Sequence, residues 1–154
     1  MKTRQDSLRS DCPINYSLEL VGDKWSLLII RDMVYFGKKT YGEFMSSDEG
    51  IARNILASRL VQLVDSGIII KTPHPDDGRK DIYKLTEKGL GLIPILLDMA
   101  DWGAEHSNQY EDLKSWLELV RRDRSNMIAL ITETVRSGDA IFVGENSVIS
   151  KLAH

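Results

Sequence analysis

The stretch IARNILASRLVQLVDSG at 51–67 sets Arg53, Asn54, Ser58 and Arg59 close together. Its second half reads as an ordinary buried helix, with Leu56, Leu60, Leu63 and Val64 at i, i+4, i+7 and i+8. A helix that only packed would not need the four polar residues. On a helical wheel Asn54 and Ser58 lie opposite the leucine stripe. Their chemistry is outward hydrogen bonding: a guanidinium fits guanine and a carboxamide fits adenine, each good pair discriminating by about 1–3 kcal/mol. Arg79 and Lys80 lie at the tip of HPDDGRKD (74–81), where cations can reach a phosphate or a minor groove. Simpler roles compete. Arg59 could be held by Asp32 or Glu43, and Arg79 and Lys80 could pair with Asp76 and Asp81.

Other chemistry is sparse. Cys12 is the one cysteine, so an internal disulfide framework and a multi-cysteine zinc site are excluded. His74, His106 and His154 show no metal-ligand spacing. There is no glycine-rich phosphate loop and no Gly-x-Ser-x-Gly elbow. The expectation is a protein that is not an enzyme and needs no cofactor or metal.

The 154 residues fit one domain with an extension, and 42% hydrophobic with 28% charged residues is ordinary for a globular chain. No apolar run approaches a membrane span, and the polar start MKTRQDSLRSD is unlike a secretory signal; cytoplasmic residence is the expectation. The net charge of −3 counts against simple nucleic-acid binding, yet residues 51–80 carry five positive and three negative side chains. Residues 104–154 carry six positive and eight negative.

These residues need a scaffold. Residues 1–11 read as a flexible arm, and INYSLELV (14–21) as a short helix broken at Gly22. Asp23 is the expected cap of a helix through Trp25, Leu28, Ile29, Met33 and Phe36, ended by Gly37. Thr40 should cap a short helix with Phe44 inward, and SDEG (47–50) is a turn. Gly67 ends the 51–67 helix. IIIKTP (68–73) and IYKL (82–85) read as strands of a hairpin around Asp77-Gly78. Thr86 should cap a long helix through about His106, bent or weakened at Pro94. Its Leu90, Ile93, Leu97, Ala100 and Ala104 step by three and four, a seam for a partner helix. Tyr110, Leu113, Trp116, Leu117 and Val120 mark a further helix. Ser125 should cap another through Arg136, closed by Gly138, and Ile141–Val143 could form an edge strand or a loop. The fold class is mainly α with one small β-hairpin. Helix, helix, short helix, helix, hairpin, long helix is the winged helix-turn-helix order, whose second helix can enter a major groove.

Three segments carry a closer resemblance. CPINYSLELVGDKWSLLIIRDM (12–33), GIARNILASRLVQLVDSGII (50–69) and DGRKDIYKLTEKGLGLIPILLDMADWG (77–103) resemble the HxlR-type transcriptional regulators, relatives of the MarR group. The resemblance covers about residues 12–103. It implies a cytoplasmic homodimer, most often a repressor, whose two winged domains bind double-stranded DNA at two operator half-sites. A small-molecule effector or thiol oxidation would control it. Arg53, Asn54, Ala57, Ser58 and Arg59 match the recognition-helix region, and Arg79 and Lys80 the wing tip. Thr40 and Tyr41 match the start of the short helix, where phosphate contacts are expected. Cys12 matches a cysteine that some members use to sense electrophiles or oxidants. Leu90, Ile93, Leu97, Ala100 and Trp102 are the expected dimer contacts. The division is arm 1–11, DNA-binding domain with dimerisation helix 12–106, and extension 107–154.

The chain departs from the pattern twice. Ala52 stands where many relatives carry a capping serine, and the last fifty residues exceed the short tail of the family. Winged-helix domains can also be protein-interaction modules without DNA contact. An interaction helix, however, would more often expose apolar anchors than Arg, Asn and Ser.

Overall fold

The computed structural model describes residues 8–154. The arm expected at 1–11 lies mostly outside the described residues. Arg9 is tied back, its guanidinium donating to Glu19 and Asn15. Helix α1 spans Pro13–Val21, with Cys12 in the cap position and Pro13 in the first turn, where its missing N–H costs nothing. Helix α2 spans Ser26–Phe36 and ends at Gly37, whose φ of 65° suits glycine. Trp25, not Asp23, holds the cap position of α2 and offers no side-chain bond; Asp23, two residues earlier, caps the helix from outside that position by accepting the amides of Trp25 and Ser26 at 3.0 Å each.

Helix α3 spans Tyr41–Met45 and opens on a reciprocal cap. Thr40 Oγ1 accepts the Glu43 amide while the Glu43 carboxylate accepts the Thr40 amide. Helix α4 spans Arg53–Asp65, with Leu56, Leu60 and Leu63 buried. Ala52 at its cap offers no side-chain bond. Strands β1 (Ile69–Pro73) and β2 (Asp81–Leu85) pair antiparallel with Lys71 opposite Tyr83. The Tyr83 amide also donates to the Lys39 carbonyl at 2.8 Å, fixing the hairpin to the stretch before α3.

The long helix expected over 86–106 is two helices. Thr86 caps a short α5, Glu87–Leu90; the chain turns through Gly91 and Leu92, and α6 runs Ile93–His106. Pro94 explains the break: it has no N–H for the Leu90 carbonyl, and its ring would crowd that oxygen. Thr86 and Gly89 form a close joint. Thr86 Oγ1 accepts the Gly89 amide and donates to the backbone of Gly67 or Ile68. A Cβ on Gly89 would sit 2.2 Å from the Ile68 carbonyl oxygen, so only glycine lets α5 approach β1.

After a 3₁₀ turn at Glu111–Leu113 come α7 (Lys114–Arg122), α8 (Arg124–Arg136) and α9 (Val148–Leu152). Ser125 is not the cap of α8; Asp123 holds that position, its carboxylate accepting the Asn126 side-chain amide at 2.7 Å rather than a backbone amide of the helix. Residues 140–143 are a loop rather than a strand. The Ile141 and Phe142 amides donate to the Val34 and Tyr35 carbonyls at 3.0 Å, satisfying orphan acceptors at the end of α2. One cluster of buried residues joins the extension to the rest, with Trp116, Ile131 and Ile141 packed alongside Ile30, Leu56 and Ile93.

The dimer seam meets a different fate. Leu90, Ile93 and Leu97 retain 3%, 0% and 3% exposure and face the chain's own core. Helices α2, α7 and α8 pack against α6 and take up that face. Ala100 is half-buried, and Trp102 stands 67% exposed beside Ile95 and Met99.

Candidate nucleic-acid interface

Helix α4 stands with one face bare. Arg53, Asn54, Ala57 and Ser58 are exposed, and none of their side chains makes a hydrogen bond or ion pair with the described residues. The row continues to Val61, which is 61% exposed. Sequence reasoning passed over Val61, although 54, 57, 58 and 61 share one helical face. A methyl-bearing side chain there can meet a thymine methyl. The face thus offers a fork donor, a carboxamide, a hydroxyl and apolar contact.

What holds the helix is equally specific. Arg59 does not belong to the bare row. Its Nε donates to Asp23 Oδ2 at 2.9 Å, so its partner is neither Asp32 nor Glu43. Asp23 also accepts the Ser26 hydroxyl at 2.5 Å. Partial burial pushes the Asp23 carboxyl up. The Ser26 hydroxyl, the two amides and the Arg59 guanidinium outweigh it and hold the carboxyl below its ordinary value. One carboxylate therefore caps α2 and anchors the middle of α4. Tyr41 holds the other end, its hydroxyl donating to the Arg53 carbonyl at 3.0 Å. That commits the only proton of the phenol, leaving Tyr41 suited to positioning α4 rather than to donating to phosphate. Thr40 Oγ1 accepts the Glu43 amide at 3.3 Å, and its own proton remains free to donate outward.

The turn before α4 is clamped to α2. The buried Asp32 accepts from Arg31 and Ser47, and Lys38 donates to Ser47 at 2.8 Å. The Arg31 guanidinium spans from Asp32 to Glu49. This bond to Arg31 is the main cause holding the Glu49 carboxyl below its ordinary value. Glu49 stands just before Gly50, whose φ of 68° turns the chain into Ile51 and α4.

At the wing, Arg79 is 91% exposed and its Nε donates to Asp77 Oδ1 at 3.0 Å. The partner is thus Asp77, while Asp81 lies 3.9 Å from Lys71. The Lys80 ammonium is exposed and makes no hydrogen bond or ion pair with the described residues; the Lys80 backbone closes the wing, its carbonyl accepting the His74 amide at 2.9 Å. Helix α4 and the wing carry exposed cations, and the turn and helices before α4 are tied down.

Cys12 is exposed at the start of α1. Among the described residues no three metal-ligating side chains cluster, and no helix is long and apolar enough to cross a membrane.

Comparison with known proteins places this geometry. The chain is 38% identical over 95 residues to MalR of Fusobacterium mortiferum, covering 62% of this chain and 90% of MalR. Against HTH-type transcriptional regulators of two mycobacteria it is 37% identical over 93 residues and spans 58% of their length. Among solved structures it is similar to PA1607, with 38% identity, a TM-score of 0.60, and 67% of this chain and 70% of that one covered. It is also similar to the redox regulator HypR in its oxidised form, with 32% identity, a TM-score of 0.57, and 63% of this chain and 99% of HypR covered. The HxlR-like helix-turn-helix family model matches residues 20–111. A mainly helical chain with one two-stranded wing, a clamped helix-turn-helix and this match together mean that the chain belongs to the HxlR-like family of DNA-binding transcriptional regulators.

Proposed function

We propose that the protein acts as a homodimer that reads two operator half-sites and represses transcription from them. The bare face of α4 carries the reading: four side chains and Val61 point outward while Tyr41 and Arg59 fix the helix from behind. Arg53 and Asn54, in the first turn, meet base edges. Ser58, Ala57 and Val61 follow along the groove. The Thr40 hydroxyl and the Arg79 and Lys80 cations meet phosphates, Arg79 exchanging Asp77 for DNA. Arg59 serves DNA indirectly, through the set of α4. A second copy covers the exposed apolar strip Ile95, Met99 and Trp102, next to Ala100.

Cys12 is the proposed redox contact, supported by its exposure and the likeness to HypR. Two thiols, one from each chain, would lose two protons and two electrons to a peroxide, forming a disulfide and two waters. A non-reducing gel after mild peroxide treatment should show a cross-linked pair that Cys12→Ser lacks. Absence of the pair in the native protein removes the intersubunit bridge.

The experiment that tests the DNA reading is binding to the duplex upstream of the protein's own gene beside a scrambled duplex, over a salt series. A preference of about 10³-fold or more supports sequence-specific regulation. No binding to either duplex at low salt would favour a protein-interaction role for the winged domain.

A further inference from the structure

The turn after α8 meets the base of the wing around a cavity of about 130 Å³. Sites for drug-sized molecules start near ~300 Å³, so this space suits an ion. Lys38, Lys39, Lys84 and Arg136 line it, together with Ser137 and Asp139. Lys38 is committed to Ser47 beside Asp32, and Arg136 forks onto Glu87 and meets Glu133. Lys39 and Lys84 are not committed. Their ammonium groups make no hydrogen bond or ion pair with the described residues. Arg53 and Lys80 share that freedom and stand on the proposed DNA face; Lys39 and Lys84 instead share a cavity. Lys39 is half-buried, its Nζ lying 3.9 Å from where a Cβ on Gly138 would stand. Glu43 does not pair with it, because that carboxylate accepts the amides of Lys39 and Thr40. Asp139 is half-buried as well, and its carboxylate makes no hydrogen bond or ion pair with the described residues. The nearby backbone has nothing to offer, since the Ser137, Gly138 and Asp139 amides donate to the Glu133, Val135 and Thr134 carbonyls. The pocket therefore presents two ammonium groups, the Ser137 hydroxyl and one carboxylate acceptor.

We propose that this pocket binds inorganic phosphate, its charged oxygens on Lys39 and Lys84 and its remaining P–OH on Asp139. Ammonium groups are compact charges that suit phosphate oxygens. The carboxylate decides between anions. Near neutral pH inorganic phosphate always keeps a proton on oxygen, and that P–OH can donate to Asp139. Sulfate keeps none and would set bare negative charge against the carboxylate, as would a phosphodiester of the DNA backbone. A carboxylate ligand would bring one charge to two ammonium groups. No residue of α4 lines the pocket, so the site does not depend on the DNA reading above. Bound phosphate would tie the extension to Lys39 ahead of α3 and to Lys84 in β2. Stability should then rise with phosphate concentration.

The test uses the full chain in a phosphate-free buffer of low salt. Sodium phosphate and, separately, sodium sulfate are titrated in and followed by calorimetry and thermal unfolding. One phosphate per chain should bind saturably, and sulfate about tenfold more weakly or worse. Lys39→Met removes the charge but keeps an apolar stem, and should weaken phosphate by about tenfold or more. Phosphate should raise the melting temperature of the native protein more than that of this variant. Asp139→Asn keeps the shape and should let sulfate bind about as well as phosphate. Circular dichroism checks that each variant is folded, and Lys84→Met carries the test where Lys39→Met is not. Absence of saturable phosphate binding overturns the site. So does binding that the folded lysine variants leave undiminished. Sulfate bound by the native protein as tightly as phosphate overturns it too, because any basic surface would do the same. An unchanged preference for phosphate in Asp139→Asn overturns the contact between Asp139 and the P–OH.

Discussion

Arg59 Nε donates to Asp23 Oδ2 across 2.9 Å, joining the reading helix to the residue that caps α2. The two are separated by 36 positions in sequence, so the bond fixes the angle between the halves of the helix-turn-helix. Arg59→Ala leaves a partly buried carboxylate without its cation. Loss of a charged hydrogen bond, softened by solvent at this half-exposed site, should cost about 1 kcal/mol of stability. The melting temperature should fall, while the salt slope of DNA binding stays that of the native protein. A salt slope reduced by one with stability intact would instead make Arg59 a phosphate contact.

Arg53 and Lys80 should separate reading from gripping. Arg53→Ala removes an exposed side chain that makes no bond with the described residues, so the fold should be unaffected. Discrimination between specific and scrambled duplex should drop by about 1–3 kcal/mol if the guanidinium reads a base. Lys80→Ala should weaken both duplexes alike and lower the salt slope by about one. Equal losses on both duplexes for Arg53→Ala would move Arg53 to the phosphates.

What could be read from the chain beforehand was local. The Leu56, Leu60 and Leu63 stripe, the Gly37 and Gly67 stops, the Thr40 and Thr86 caps and the hairpin each depend on residues a few positions apart, and each stands in the fold. Some local readings failed too, the single helix over 86–106, the Ser125 cap and the partner of Arg79 among them, but the misreadings that shape the site concerned partners far along the chain. Arg59 finds Asp23, which no helical spacing relates to it. The Leu90, Ile93 and Leu97 seam looked unpartnered because its cover includes helices of the extension. The backbone of Ile141 and Phe142 bonds to α2, a use that their apolar side chains do not announce.

Acid should loosen the turn before α4. The Glu49 carboxyl is held below its ordinary value, chiefly by the Arg31 bond, so the folded state binds this proton less readily than the unfolded chain. The resulting stability is full above the unfolded carboxylate value of about 4.3 and is lost as pH falls through the lower folded value. Asp23, also depressed, acts in the same direction. Glu49→Gln should be less stable at neutral pH by up to about 1 kcal/mol, given its partial exposure. The two proteins should converge as the native carboxyl protonates, which urea unfolding at neutral pH and again near pH 3 would measure. A constant gap across that range would remove the charge on Glu49 from the clamp.

Gly89 tests whether the wing and the following helices share one joint. A methyl group there would approach the Ile68 carbonyl oxygen to 2.2 Å and Leu85 Cδ2 to 2.8 Å. The leucine end can swing aside, but the carbonyl belongs to the backbone where α4 passes into β1. Either α5 backs away, breaking the bonds from Thr86 to the backbone before β1, or the strand does. Gly89→Ala should therefore cost about 1–3 kcal/mol, the range for forcing an extra methyl into a packed site, despite alanine's better helix propensity. Because the wing rides on β1 and β2, the variant should also bind both duplexes less tightly at temperatures where it is still folded. A melting temperature equal to that of the native protein would mean that α5 and β1 can separate without cost, and that the glycine is dispensable to the wing.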